Sequence, residues 1–419
     1  MDRLFVTLAD VSDPRMGGGD SFCDRLSNRY TVFIMFLFAV LVITKHYGGE
    51  PIACWCPDEF TDAWVDYTNQ ICWVQNTYYL PFEEHIPKEG EERDKIGYYQ
   101  WVGLILACQA VMFYMPRAVW RLFNKKSGIA VSTITDAAIE CQRKADPEAR
   151  DKTLRYMIKH MGRFLREVSR RHDVRYSRLR SCWWRLYGNY LAWLYILIKM
   201  LYIGNVLGQL FLLNHFLGTN YHLYGIEVIE RLIEGRELSV SHRFPRVTMC
   251  DFKVRRLGAI HRFSVQCALP VNLFNEKIFI FIWFWFVFVT AASTGSFLLW
   301  LWRALYMKAQ ANYLKARLIA MDKLDDNKKE YVKPFVHNYL RRDGVFLIRL
   351  VAKNSSDIIA AELICGLWDQ YIGTRLTREQ SNPANTGPGV ANPTAPPNED
   401  PTELSRLTVE GAAVGEKSV

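Results

Sequence analysis

The sequence lacks the short motifs that mark the common catalytic and metal sites. It contains no pair of cysteines separated by two residues and no HExxH segment, so zinc and metalloprotease chemistry have no support. It also has no glycine-rich phosphate loop and no GxSxG nucleophile elbow. Ten cysteines in 419 residues are too few for a disulfide-rich scaffold. Nothing in the sequence indicates an enzyme, and no cofactor is expected.

Charge is absent from one long stretch, and this absence indicates the class of protein. No charged residue lies between Lys277 and Arg303. At ~1.5 Å rise per residue, a helix of this length crosses the ~30 Å hydrocarbon core of a bilayer. A buried core helix of a soluble protein is the alternative, but such helices are usually much shorter. The stretch therefore predicts a membrane span.

Three further apolar runs predict three more spans. Tyr30 to Thr44 fits either a signal-peptide core or a short span, and the absence of a small-x-small cleavage site after it favours an uncleaved span. The second run, Ile96 to Pro116, is uncharged, and its proline is expected to kink or close the helix. The third is Leu186 to Phe216. Four spans place both termini on one side of the membrane.

The third run contains residues that are unusual in a membrane span. Lys199 is costly in hydrocarbon, and we expect it to snorkel to the cytoplasmic end. Gly204 and Gly208 have the small-xxx-small spacing that lets helix backbones approach closely. Ordinary helix packing is the expected role of these two glycines.

The rest of the chain is polar enough to offset the spans. Half of the residues are hydrophobic, yet the mean hydropathy is only -0.06. The net charge of +9 could indicate nucleic acid, but in a membrane protein basic residues usually mark cytoplasmic loops. The most basic region, residues 121–185, has helical periodicity and lies between the second and third spans. It is therefore placed in the cytoplasm, and no nucleic-acid partner is expected.

The cysteines concentrate in the two loops that this topology places outside the cell, where disulfides persist. The first loop contains Cys54, Cys56 and Cys72, and the second contains Cys250 and Cys267. From the residues alone, bridges within one loop and bridges between the loops both remain possible.

Short motifs lie in the outer loops and near the ends of the spans. Tyr98-Tyr99-Gln100-Trp101-Val102, at the head of the second span, resembles the signature of the innexins, the invertebrate gap-junction proteins. Further matches lie in both outer loops and in the third span: Cys54-Trp55, Cys72-Trp73, Gly208 to Asn214, Phe244 to Phe252, Gln266-Cys267 and Asn275 to Phe279. The resemblance extends from about Met1 to Trp368 and leaves out the tail.

The resemblance implies a subunit that assembles with itself or with other innexin subunits into a ring of roughly six to eight around a wide pore. Rings in apposed cells would dock through the outer loops and pass ions and small metabolites. In related large-pore channels the first outer cysteine joins the last, which implies bridges Cys54–Cys267 and Cys72–Cys250. Cys56 departs from the family's two cysteines per loop, so either Cys54 or Cys56 can be the bridging residue.

Pore and docking residues are also expected. The family counterpart of the N-terminal segment folds into the pore mouth, so Met1, Asp2, Phe5 and Asp10 are expected to line the lumen, where the two carboxylates would favour cations. Gln75, Asn76 and Thr77 are candidates for docking, and turn formation explains them equally well.

The expected protein is an all-α membrane protein with four transmembrane helices, disulfide-linked extracellular loops and a helical cytoplasmic domain. It is placed in the plasma membrane at cell–cell junctions, with both termini in the cytoplasm. The expected segments are a pore-lining N-terminus (1–29), spans at 30–47, 96–117, 186–217 and 277–302, extracellular loops at 48–95 and 218–276, cytoplasmic helical regions at 118–185 and 303–376, and a disordered tail (377–419).

Two other functions remain open. One is a large-pore hemichannel that works undocked in a single membrane, and the other is a four-span adhesion or scaffold protein without a pore. Neither outer loop contains an N-x-S/T site for a glycan that would block docking, which modestly favours the intercellular channel.

Overall fold

Long helices make up most of the chain. The computed structural model describes residues 21–81, 83–86, 94–173, 188–218, 220–235 and 243–380. Its principal helices, in chain order, are α1 (Phe22–Gly48), α2 (Asp62–Gln75), α3 (Val102–Asn124), α4 (Val131–Arg143), α5 (Pro147–Asp173), α6 (Tyr190–Leu217), α7 (Tyr224–Ile233), α8 (Pro270–Leu305), α9 (Met307–Ala320), α10 (Arg341–Asn354) and α11 (Asp357–Gln380). Its strands are β1 (Ala53–Trp55), β2 (Thr77–Tyr78), β3 (Lys95–Ile96), β4 (Val247–Arg256) and β5 (Ala259–Ala268).

Four of these helices are long and apolar enough to cross a membrane: α1, α3 with the short turn that follows it, α6 and α8. They form a bundle in which α1 packs on α3, α3 on α6, α6 on α8, and α8 on α1. Its core contains Leu106, Phe113, Val206 and Phe286, all completely buried. The predicted four-span architecture is confirmed.

The ends of the helices differ from the sequence-based boundaries. α1 begins at Phe22 rather than at residue 30 and has a π-helical turn at Leu26–Tyr30. α3 continues through Pro116 to Asn124, so this proline does not close the helix. Proline is tolerated inside membrane helices because neighbouring groups satisfy the freed backbone. α8 has 36 residues, or ~54 Å, and projects beyond the hydrocarbon layer.

A five-stranded antiparallel sheet lies at one end of the bundle, and the sequence analysis did not predict it. The strand order is β1-β5-β4-β2-β3, so the long β4–β5 hairpin from the second loop lies between strands from the first loop. Leu257 and Gly258 form the turn of the hairpin, both with positive φ. The sheet and α2 enclose a core that includes Phe252, Val265 and Leu269. We call this structure the outer domain.

At the opposite end of the bundle, amphipathic helices pack against one another. α4 contacts α5 and α10, and α10 also contacts the start of α6. The predicted apolar face of α5 is packed, because Met161 and Leu165 are buried. Leu347, Ile348 and Leu363 from the last predicted helical region are buried as well. The described parts of the basic segments between and after the spans therefore form folded helices.

Candidate functional site

Two disulfides join the two loops that form the outer domain. Cys54 on β1 bonds to Cys267, its direct partner on β5, and Cys72 on α2 bonds to Cys250 on β4. The bridges connect residues 213 and 178 positions apart in sequence. The sulfurs of Cys54, Cys72 and Cys267 lie within 4.8 Å of one another, so the two bridges are adjacent. The pairing implied by the resemblance is confirmed, and bridges within one loop are excluded.

The choice between Cys54 and Cys56 is also decided. Cys56 has a free thiol, and its sulfur donates to the carbonyl oxygen of Cys54 at 3.7 Å. Partial burial raises the pKa of this thiol, opposed by a hydrogen bond with Thr68. The thiol therefore stays protonated at neutral pH and is a poor nucleophile.

The signature motif is a joint between both loops and the second span. Tyr99 is completely buried and its ring lies 4.7 Å from that of Trp73, next to a bridged cysteine. Tyr98 donates from its hydroxyl to the carbonyl oxygen of Arg243, 2.7 Å away in the second loop. Gln100 donates to the carbonyl oxygen of Trp73 at 2.5 Å and to the side-chain oxygen of Asn76 at 3.0 Å. Of the motif's other residues, Val102 is buried and Trp101 is exposed.

Only Gln75 among the three docking candidates is exposed. Asn76 ends α2 with a φ of 67°, and its side chain accepts from Gln100 and packs against Gly97. Thr77 is completely buried in the sheet, opposite Ile96. The contacts of Asn76 and the burial of Thr77 favour the alternative that these residues shape the domain, and the docking role stays a prediction.

A second polar site is buried where α1 begins, and it includes Lys199. Lys199 is 1% exposed and its ammonium donates to Asp24 Oδ1 at 2.6 Å, Ser296 Oγ at 2.7 Å and Ser21 Oγ at 2.9 Å. Asp24 Oδ2 accepts from the Tyr195 hydroxyl at 2.8 Å and from the Ser21 backbone at 3.0 Å. We call these five residues the α1-base network. All three protons of the lysine and both oxygens of Asp24 have partners.

The network corrects one expectation and adds a site that the sequence analysis missed. Lys199 does not snorkel into water, because Asp24 neutralises it inside the protein. The network fixes the start of α1 against α6 and α8. A lysine within an apolar run is the sequence signal that points to this site. The sequence does not identify its partner, however, because Asp24 lies 175 residues away. The predicted pore-lining residues Met1, Asp2, Phe5 and Asp10 lie outside the described residues.

No helix among the described residues packs against the two glycines of α6. A Cβ atom built on Gly204 or Gly208 would meet nothing within 4 Å. The predicted helix packing at these glycines is therefore not made within the described part of the chain.

Comparison with known proteins places this geometry in context. The family model described as Innexin matches residues 20–371. Innexin unc-9 of Caenorhabditis elegans is 40% identical over 373 residues, covering 88% of this chain and 96% of that protein. Innexin-3 of the same organism is 37% identical over 354 residues, covering 84% of each chain. Innexin-16 is 33% identical over 369 residues, covering 88% of this chain and 92% of the relative.

Proposed function

The chain belongs to the innexin family of gap-junction and hemichannel subunits, and from this membership we propose that it forms a pore for ions and small metabolites between adjacent cells. One observation carries the intercellular role: both loops at one end of the four-helix bundle fold into a single domain held by two disulfides. A bilayer channel needs no such domain for conduction alone. A rigid surface outside the membrane serves contact with a second copy.

The rigidity of the outer domain has a clear physical source. Its apolar core is small, and each disulfide contributes ~2–4 kcal/mol by restricting the unfolded chain. The bridges close loops of 213 and 178 residues that include two or more spans. Arg246 and Glu276 add an ion pair at 3.0 Å between the hairpin's base and α8. The outer domain thus holds its shape as a docking surface must.

The proposed orientation puts the outer domain outside the cell and both termini in the cytoplasm. Persistent disulfides support it, because the cytosol reduces disulfides and keeps cysteines as thiols. Asn354-Ser355-Ser356 provides a test, since this glycosylation site would face the cytoplasm and stay unmodified. Peptide mass mapping of the protein from a secretory-competent cell checks this: a glycan on Asn354 would reverse the orientation.

The far edge of the outer domain is the proposed docking surface. The β4–β5 hairpin extends ten residues from the bundle, or ~33 Å, and Leu257 at its turn is 97% exposed. Beside the turn lies an open cavity of about 540 Å³ lined by aromatic residues, including Phe60, Trp64 and Phe263. Exposed apolar surface of this kind marks protein contacts. We propose that the cavity is filled by a subunit of the same family in the ring of the opposed cell.

The N-terminal segment is proposed to line the pore at its cytoplasmic mouth. The α1-base network supports this, because it fixes the position from which residues 1–20 leave the bundle. Asp2 and Asp10 would favour cations by simple charge attraction. Asp2→Lys should lower the cation-to-anion permeability ratio measured by reversal potentials in single cells. Unchanged selectivity and conductance would contradict a pore position.

Recording from paired cells tests the proposed function. Expression in both cells of a pair should produce junctional current and transfer of a small dye. Current in single cells without junctional current would indicate an undocked hemichannel, and the absence of both would indicate an adhesion or scaffold protein. A view of the purified complex down its axis would give the subunit number of the ring, expected to be about six to eight.

A further inference from the structure

A basic pocket lies at the end of the bundle opposite the outer domain, where α8 meets α9 and α10. Its volume is about 330 Å³. Four of the residues that line it are basic, and two are aromatic: Arg303, Arg317, Arg349, Lys353, Trp300 and Tyr313. The charged groups come from the consecutive helices α8 and α9 and from α10, which follows later in the sequence, so the fold and not a local charge run creates this cluster.

The positive charges in the pocket are not balanced by protein carboxylates. Arg317 pairs with Asp357 at 2.7 Å. Among the described residues, Arg303, Arg349 and Lys353 form no ion pair. Lys199 lies nearby, but Asp24 neutralises it. Three of the four cations that line the cavity therefore have no carboxylate partner in the described chain, since Asp357, which also lines it, pairs with Arg317.

Aromatic rings hold these cations in place. The guanidinium of Arg349 lies over the Tyr313 ring, 4.4 Å from its centre. The guanidinium of Arg303 lies 5.8 Å from the centre of the Trp300 ring, and the ammonium of Lys353 lies 5.9 Å from the same centre. Cation–π contacts orient the groups but supply no negative charge. Among the described residues, the Nε of Arg349 is buried without a hydrogen-bond partner. The pocket thus presents a fixed donor that no atom in this part of the chain satisfies.

Electrostatic repulsion within the pocket is consistent with a missing anion. Burial, and then the nearby Arg303, lower the pKa of Arg349. Burial, and then Lys199, lower the pKa of Lys353. Both directions mean that the surroundings disfavour the charged forms, and a bound anion would reverse this effect.

We propose that this pocket binds a phosphate group through the guanidiniums of Arg303 and Arg349 and the ammonium of Lys353. Guanidinium groups match phosphate oxygens with paired charge-assisted hydrogen bonds, and a lysine adds a point charge. The cavity is large enough for a phosphate with a small attached group. Because α8 leaves the hydrocarbon layer here, the phosphate can belong to a lipid headgroup or to a soluble molecule.

The position of the pocket connects it to the start of α1. Ser296 lines the pocket and also accepts a hydrogen bond from Lys199 at 2.7 Å. A bound phosphate would therefore lie in a pocket lined by Ser296, a member of the α1-base network. Occupancy is expected to influence the position of the N-terminal segment, and hence the channel, through this shared serine.

The test uses the full-length protein in nanodiscs, with two probes that distinguish the sources. One arm compares phosphatidylcholine nanodiscs with nanodiscs that also contain phosphatidic acid, and scores retained lipid by native mass spectrometry. The other arm titrates inositol hexakisphosphate into phosphatidylcholine nanodiscs and follows binding by calorimetry. Binding in the first arm alone identifies a lipid headgroup, and binding in the second alone identifies a soluble phosphate.

The variants decide whether the pocket is responsible. Arg303→Gln with Arg349→Gln should weaken binding about tenfold or more, since the two guanidiniums would supply charge-assisted hydrogen bonds to the phosphate. Lys315→Gln, on the exposed face of α9 outside the pocket, removes a charge at a matched position and should leave binding unchanged. If the double variant does not elute as an assembled protein in size-exclusion chromatography, Lys353→Gln, at the exposed rim of the pocket, is tested instead. This variant should also weaken binding relative to the control. No binding of either probe, or equal binding by pocket and control variants, overturns the proposal.

Discussion

At the scale of single residues, neighbouring cysteines have different roles. Cys54 and Cys56 are two positions apart, yet only the first meets a partner, because β1 pairs Cys54 directly with Cys267. The register of β1 against β5 therefore selects the bridging residue. Cys56 is held by a weak hydrogen bond to the backbone of Cys54.

Serine substitutions should separate the two cysteines. Cys54→Ser is expected to lower the free energy of unfolding by ~2–5 kcal/mol and to leave Cys267 free for alkylation. Cys56→Ser, the matched control, should change the free energy of unfolding by less than ~0.5 kcal/mol. Thermal unfolding and intact mass after alkylation measure both. Equal destabilisation by the two variants would contradict the bridge.

The ion pair of the α1-base network should be sensitive to loss of one partner. Lys199→Met leaves Asp24 charged and buried without its counter-charge, which is expected to destabilise the fold by ~3–5 kcal/mol. Lys144→Met breaks the exposed pair with Glu140 and should cost less than ~1 kcal/mol.

The combined variant Lys199→Met with Asp24→Leu sharpens this test. Replacing both charges by apolar side chains should recover most of the stability lost in Lys199→Met. Thermal unfolding of the purified proteins provides the comparison. If Lys199→Met destabilises the protein no more than Lys144→Met does, Lys199 and Asp24 do not form a buried ion pair.

At the scale of elements, the innexin signature acts as a joint rather than as a ligand site. Its tyrosines and glutamine contact the first loop, the second loop and the head of α3. A change in the tilt of α3 would therefore be transmitted to the outer domain. These contacts explain why the motif needs aromatic rings with hydroxyls and an amide at these places.

A second joint connects α10 to α6 at the other end of the bundle. Asp343 is buried, and its carboxylate accepts from the backbone of Ala192 at 3.0 Å and also from Leu191 and Tyr190. These are the first three N–H groups of α6, which have no partner inside the helix. The helical domain thus caps the third span.

The stability of this joint should depend on pH. Burial raises the pKa of Asp343 from its ordinary 3.8 to about 7, against the opposing effect of its backbone donors and Arg341. Between these values the folded state binds more protons than the unfolded state, so Asp343 stabilises the fold in acid. This contribution is lost as the pH rises through about 7, by up to ~1.4 kcal/mol per pH unit.

Asp343→Asn removes this titration while keeping an acceptor for α6. The thermal unfolding midpoint of the unaltered protein should fall, relative to that of the variant, as the pH rises from about 5 to about 8. Parallel midpoints for the two proteins over this range would exclude Asp343 as the titrating group.

At the scale of the whole molecule, the outer domain should matter for docking and not for the single ring. Leu257→Asn removes the exposed apolar side chain but suits the positive φ of 51°, because asparagine tolerates this conformation. Junctional conductance between paired cells should fall by about tenfold, while current in single cells stays unchanged. Loss of both currents, or of neither, would contradict docking at the hairpin turn.

The sequence and the structure contributed different parts of this description. Charge-free runs predict helical spans, because backbone N–H and C=O groups in hydrocarbon must form their hydrogen bonds within their own segment. The β4–β5 hairpin gave no comparable signal, since its strands are partly exposed and carry many basic residues such as Lys253, Arg255 and Arg262. Short strands from the first loop complete the sheet on both sides of the hairpin, and local sequence does not specify their pairing.

The sequence by itself determined that the chain makes four spans and, through its motifs, which family it resembles; the resemblance implied bridges between the loops, and the structure chose Cys54 over Cys56. Only the tertiary structure decided which polar groups meet. Asp24 neutralises Lys199, Asp343 caps α6, and Arg303 approaches Arg349, although each pair is separated by tens to hundreds of residues. Hydrophobic periodicity is a local property of the chain, whereas charge pairing is fixed by where the packed helices bring their side chains.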